Sequence, residues 1–175
     1  KALKLLEFEP FIVSGMASHG KATDEGQRQL LKELGVTEES AGCPVQASVE
    51  VVEIGKIDSG LPVYMDRIAS EADGIVVINR IKTHTAFHAE YERGLVKMLA
   101  IGLGNDIGAK SCHQLGFGKM AENIIAMAKM KLEKHPVLFG VAVVEDGGEN
   151  VSIIEIVDAD DIMSREPELL KISKS

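Results

Sequence analysis

Gly74-Ile75-Val76-Val77-Ile78-Asn79 is the strongest strand signal in the 175-residue sequence. A continuous β-branched run suits a parallel strand covered by helices on both faces. Towards the C-terminus, residues 137–144 and 151–157 read as two further strands, joined by a turn containing Gly147-Gly148. Towards the N-terminus, Phe11-Ile12-Val13 and residues 49–54 supply two more. Helical patterns lie between them. Thr23 is a helix N-cap with Asp24 and Glu25 in the first turn, and the helix carries Leu30, Leu31 and Leu34 before stopping at Gly35. Residues 63–72 predict a short amphipathic helix with Tyr64, Ile68 and Ala72 on one face. Residues 119–134 form a longer one, in which Met120, Ile124, Met127 or Ala128, and Lys131 recur every three to four positions. His135-Pro136 ends it, and Asp158 caps a last short helix over 159–165. The order β-α-β-α-β predicts an α/β fold, Rossmann-like, with a mainly parallel sheet, helices on both faces and the final strand pair as an antiparallel edge. With no linker or repeat, residues 1–175 read as one domain.

Composition narrows the function. Nineteen Lys+Arg against 27 Asp+Glu give a net charge of −8, with 45% hydrophobic and 26% charged residues, the balance of a globular domain. No apolar run of about 18 residues is present to span a membrane. An acidic chain without a basic stripe argues against nucleic acid as a partner. Two cysteines, Cys43 and Cys112, are too few for a disulfide framework and suit a cytoplasmic location.

Histidines cluster where an α/β sheet collects ligands, beyond the carboxyl ends of strands. His19 follows the first strand in Ser14-Gly15-Met16-Ala17-Ser18-His19-Gly20; His84 and His88 follow the strongest one. Taken singly, each also fits a solvated loop histidine. Lys97 lies in the nearly apolar segment Gly94-Leu95-Val96-Lys97-Met98-Leu99-Ala100-Ile101-Gly102. It reads either as a lysine snorkelling from a buried helix or as an amine held in an apolar pocket for covalent chemistry. Gly102 to Gly108 is a weak match to a phosphate loop. His113 is a candidate metal ligand beside Cys112, but adjacent residues rarely reach one ion together. CxxC, HExxH and GxSxG are absent from the sequence.

The order of these residues resembles the nickel-pincer nucleotide-dependent lactate racemases and their paralogues. The likeness runs from about Phe11 to His113. It includes Ile12-Val13-Ser14-Gly15 through His19 and Thr23, Tyr64-Met65-Asp66-Arg67-Ile68-Ala69-Ser70-Glu71-Ala72-Asp73, Thr83-His84, and Lys97 sixteen positions before His113. The resemblance implies that Lys97 tethers the cofactor, a sulfur-bearing pyridinium mononucleotide that chelates nickel, and that His113 is the protein's ligand to the metal. It implies His19 and His84 as acid and base on opposite sides of a 2-hydroxy acid. His84 and Lys97 stand three residues farther apart than in the lactate enzymes, and His88, in the longer segment, is an alternative second base. Family members also carry an N-terminal phosphate-binding segment and a C-terminal domain that closes the site, so a chain starting at Lys1 is expected to be part of a longer protein.

The implied chemistry is coherent. The α-hydrogen of an ionised 2-hydroxy acid is hardly acidic, so its removal as hydride avoids a carbanion if a base takes the hydroxyl proton. Racemisation needs such a base for each enantiomer, and histidine can serve in either protonation state. The competing expectations are a non-catalytic nucleotide- or metal-binding module on the same fold, and a scaffold whose histidines are incidental.

Overall fold

The computed structural model describes residues 2–83, 90–114, 116–146, 148 and 150–174. In chain order the elements are α1 (Ala2–Leu5), β1 (Ile12–Val13), α2 (Asp24–Glu33), α3 (Glu38–Ala41), β2 (Val45–Gln46), β3 (Val51–Lys56), β4 (Pro62–Asp66), α4 (Arg67–Ser70) and β5 (Ile75–Ile81). They continue with α5 (Leu95–Ala100), α6 (Asn105–His113), α7 (Phe117–Lys134), β6 (Val137–Glu145), β7 (Val151–Asp158) and α8 (Ile162–Ser173). The architecture is α/β.

The strand that decided the fold is β5. It pairs in parallel with β6, and β7 closes the far side antiparallel, giving the order β5-β6-β7 with the expected antiparallel edge. The mainly parallel, Rossmann-like sheet does not extend further among the described residues. β1 pairs with β2 in a separate two-strand parallel sheet, and β3 with β4 in an antiparallel hairpin. Nor do helices cover both faces. Val77, Ile81, Ala142, Val144 and Val157 point into the core, whereas Ile78, Ile154 and Ile156 on the opposite face are at least 60% exposed.

The helix expected over 63–72 is mostly strand. Val63 and Met65 are buried while Tyr64 is only half-buried, an alternation of two that serves a hairpin. The turn between its strands is closed by Ile57 N–H donating to the Leu61 carbonyl (3.0 Å), with Gly60 at φ 84. Only one helical turn follows, α4, capped by the Asp66 carboxylate accepting from Ala69 N–H. The last helix is longer than the sequence suggests and runs as α8 to Ser173.

Thr23 caps α2 as expected: its hydroxyl accepts from Gly26 N–H. At the other end, Gly35 at φ 79 donates to the Lys32 carbonyl and Val36 to that of Leu31, a Schellman ending. Thr23→Ala should lower stability by about 1 kcal/mol; urea denaturation of the two proteins measures it.

The core gathers around α5, whose Leu95, Val96 and Leu99 are almost completely buried. Met120, Ile124, Met127 and Ala128 of α7 pack in the same core, as do Ile162, Leu169 and Leu170 of α8. Gly140 of β6 leaves room for α5: a Cβ there would stand 2.5 Å from Leu95 Cδ1.

Candidate functional site

Lys97 sits on α5, a helix too short to stand alone and held at both ends by buried charges from elsewhere. At the N-terminus, Glu166 of α8 accepts from Val96 N–H through Oε2 (2.9 Å). Gly94 is essential to this approach, because a Cβ there would overlap the carboxyl group. Asn79 of β5 fixes the same point by donating to the Gly94 carbonyl (2.8 Å). At the C-terminus, Lys131 of α7 is fully buried and donates through Nζ to the Ala100 carbonyl (3.2 Å). An acid at the start and a cation at the end both complement the helix dipole. Burial pushes Glu166 up to about 7 and Lys131 down to about 7; the fields of Cys112 and Asp66 only partly support the ammonium.

Lys97 itself is half-buried. Burial, and then the Arg93 guanidinium, hold its amine below the usual lysine range, while Cys112 acts in the opposite direction. Cys112 is wholly buried, and burial pushes its thiol up to about 11. It is therefore a weakly nucleophilic core thiol. His113 follows it at the exposed end of α6.

Between α5 and α6, Gly102–Gly104 forms a tight 3₁₀ turn whose residues are buried. A Cβ on Gly102 would lie 2.7 Å from the Gly15 carbonyl. Asn105, at φ 51, donates to Asp66 Oδ2 (2.9 Å) and to the Ser48 carbonyl (3.2 Å). Burial raises the Asp66 carboxyl, against its hydrogen bonds from Ala69 and Asn105. The glycines here are packing devices, so the phosphate-loop reading of this segment finds no open cradle in Gly102–Gly104.

His19 lies exposed in the loop after β1. Ala17, Lys21 and Ala22 all have positive φ in this loop, a costly arrangement that persists only where the surroundings enforce it. Fully buried Gln27 of α2 is one enforcing group: its amide accepts from the Ser14 hydroxyl and donates to the Ala17 carbonyl (3.1 Å). Gly20 and Gly26 are another, their backbones touching so closely that neither admits a Cβ. The loop backs onto α5, since a Cβ on Gly15 would meet Met98 Sδ at 3.2 Å.

Thus the loop of His19 abuts the Lys97 helix, and His113 ends the helix that follows it. His84 and His88 lie outside the described residues. The chain on either side of them is joined by Lys82 N–H donating to the Arg93 carbonyl (3.2 Å), just before α5. Among the described residues no group of three or more His, Cys, Asp and Glu side chains could hold a metal. The hollows between Glu155 and Arg165, and between Lys56 and Lys129, include none of the candidate residues. No helix among the described residues is long and apolar enough to cross a membrane.

Sequence reasoning missed Glu166, Lys131 and Gln27. The signal for the first two was present: each is a charged residue occupying an apolar helical stripe, Glu166 in phase with Ile162, Leu169 and Leu170, and Lys131 with Ile124, Met127 and Ala128.

The fold has a counterpart among solved structures. Structurally, the chain is similar to the lactate racemase apoprotein of Thermoanaerobacterium thermosaccharolyticum, with a TM-score of 0.62 at 17% sequence identity over 81% of this chain. The match covers 36% of that protein's chain, so the chain spans well under half of its relative's length. No curated protein sequence matches significantly. Residues 8–123 match the family described as the lactate racemase N-terminal domain. Two-thirds of the sequence, including β1 through α6, is thus accounted for, and the chain belongs to the lactate racemase N-terminal domain family.

Proposed function

We propose that this chain is the cofactor-tethering domain of a cytoplasmic racemase or epimerase of 2-hydroxy acids, completed by a C-terminal domain that closes over the substrate. The observation that carries the reading is Lys97: an amine half-buried on a helix fixed at both ends, on the element next to the one ending in His113. Burial favours its neutral, nucleophilic form, the form needed to hold a cofactor covalently.

Lys97 would hold a nickel-pincer nucleotide through its amine. His113 would offer it one imidazole, from the exposed end of α6. When bound, that group supplies a hydride acceptor. The protein's part is then acid–base chemistry. His19, on its enforced loop, takes the hydroxyl proton from one enantiomer of the substrate and returns it; His84 or His88 does the same for the other.

The test uses full-length protein produced with the cofactor pathway. Intact-mass analysis should show an adduct that maps to Lys97 and disappears in Lys97→Ala. His113→Ala should keep the adduct and lose most of the nickel, measured by metal analysis. An unmodified Lys97 beside a functional pathway rules the reading out.

A further inference from the structure

We propose that Glu166 is a positioning residue for Lys97: its buried carboxyl caps the helix that carries the amine and so fixes how far that amine stands out of the core. The inference deepens the reading above, on which it rests for the role of Lys97.

Glu166 comes from α8, beyond the family-matched residues 8–123. It is 1% exposed, and Oε1 has no hydrogen-bond partner among the described residues, while Oε2 holds Val96 N–H and the Leu95 N–H also faces the carboxyl. Burying such a group is expensive unless its geometry does something. What it does here is local. Lys97 is the third residue of a six-residue helix, and Leu95 and Val96 are the two residues before it. Removing the cap frees the first turn, and the side chain three positions in moves with it.

Glu166 reaches Lys97 through the backbone of α5, by its hydrogen bond from Val96 N–H. The groups that shift the Lys97 amine are its own burial, Arg93 and Cys112, while Glu166 acts electrostatically on Tyr91, whose hydroxyl donates to the Met163 carbonyl of α8. This separates two explanations by sign. Loss of a nearby negative charge would make the Lys97 ammonium less stable and lower its titration midpoint. Release of α5 into solvent would remove the burial penalty and raise it.

Trace acetylation of the native chain with acetic anhydride, read peptide by peptide by mass spectrometry across the lysine titration range, measures that midpoint directly. Exposed Lys32 and Lys129 serve as internal references. Glu166→Ala should raise the Lys97 midpoint by about half a pH unit or more and leave both references unmoved. Glu166→Gln, whose side-chain oxygen can still accept the N–H, should match the wild type. Gly94→Ala, which drives the carboxyl away from the other side, should reproduce the alanine shift, and the double variant should shift no further than either single one. An unchanged or lowered midpoint in folded Glu166→Ala overturns the proposal. Should that variant fail to fold, the other two decide: a displaced Gly94→Ala beside a wild-type-like Glu166→Gln supports it, and identical profiles overturn it. The readout needs no cofactor. An absent adduct with a shifted midpoint therefore removes only the proposed function, and an intact adduct with an unshifted midpoint removes only the role of Glu166.

Discussion

Between pH 7 and pH 9 the chain should become more stable, by on the order of 2–3 kcal/mol, and Lys131→Met should abolish most of the gain. Lys131 is held at about 7 in the folded protein by burial and returns to 10.5 on unfolding. Between those values the unfolded chain binds more protons than the folded one, and stability rises with pH wherever that is so. Lys97, also lowered, adds in the same direction. Cys112 opposes the trend only from about pH 9 upward, because its thiol is raised from 9.0 to about 11 and the unfolded chain loses that proton first. On the acid side, Glu166 lies at about 7 folded against 4.5 unfolded, so stability falls as pH rises through that interval, and the raised Asp66 works the same way. His135, lowered mainly by burial, opposes them below pH 6.5, and the rise above pH 7 belongs to the lysines. Lys131→Met leaves the Ala100 carbonyl unpaired, a cost of about 1–3 kcal/mol that is the same at every pH and leaves the slope readable. Urea denaturation at several pH values measures both proteins; a flat wild-type profile over this window would contradict the assignment.

Gly26→Ala should destabilise the protein by on the order of 3 kcal/mol and, under the proposed function, reduce turnover of the cofactor-loaded full-length protein at least tenfold. Position 26 is in the first turn of α2, where alanine normally improves on glycine by about 1 kcal/mol. Here a Cβ would overlap the Gly20 carbonyl, which is backbone and cannot swing aside. The loop must shift, and His19 is the residue next to Gly20. Thermal denaturation measures the first effect. For the second, the kcat for the two enantiomers is compared, since displacement of one base should alter one direction of proton transfer more than the other. Equal stability of variant and wild type would show that the loop yields without strain.

The parts of this structure legible in the sequence were those set by short-range pattern. β5, α7, the Thr23 cap and the Gly35 ending each follow from a period or a single residue's geometry. The 63–72 segment failed because Tyr64, Ile68 and Ala72 also fit a helical spacing, and only its pairing with β3, a tertiary fact, selects the strand. The mainly parallel sheet failed for a related reason: apolar runs announce strands but not which strands meet. Lys97 was visible as a lysine in apolar surroundings, yet its clamps were not. Glu166 and Lys131 stand 69 and 34 positions away along the chain, and nothing local ties them to α5.

The clamp on α5 also bears on where this domain physically stops. The family match ends at residue 123, inside α7, while Lys131, β6, β7 and α8 lie beyond it. A fragment cut at that limit would lose both charges that flank Lys97, the partner strand of β5, the Met163 carbonyl that Tyr91 reaches, and the Lys174 ammonium that neutralises buried Glu92. The family-matched stretch and the packed core are different lengths of chain, since the core takes in Ala142, Val144, Val157, Ile162, Leu169 and Leu170. A comparison confined to the matched stretch includes Lys97 and leaves out Glu166 and Lys131, the two side chains that hold its helix in place.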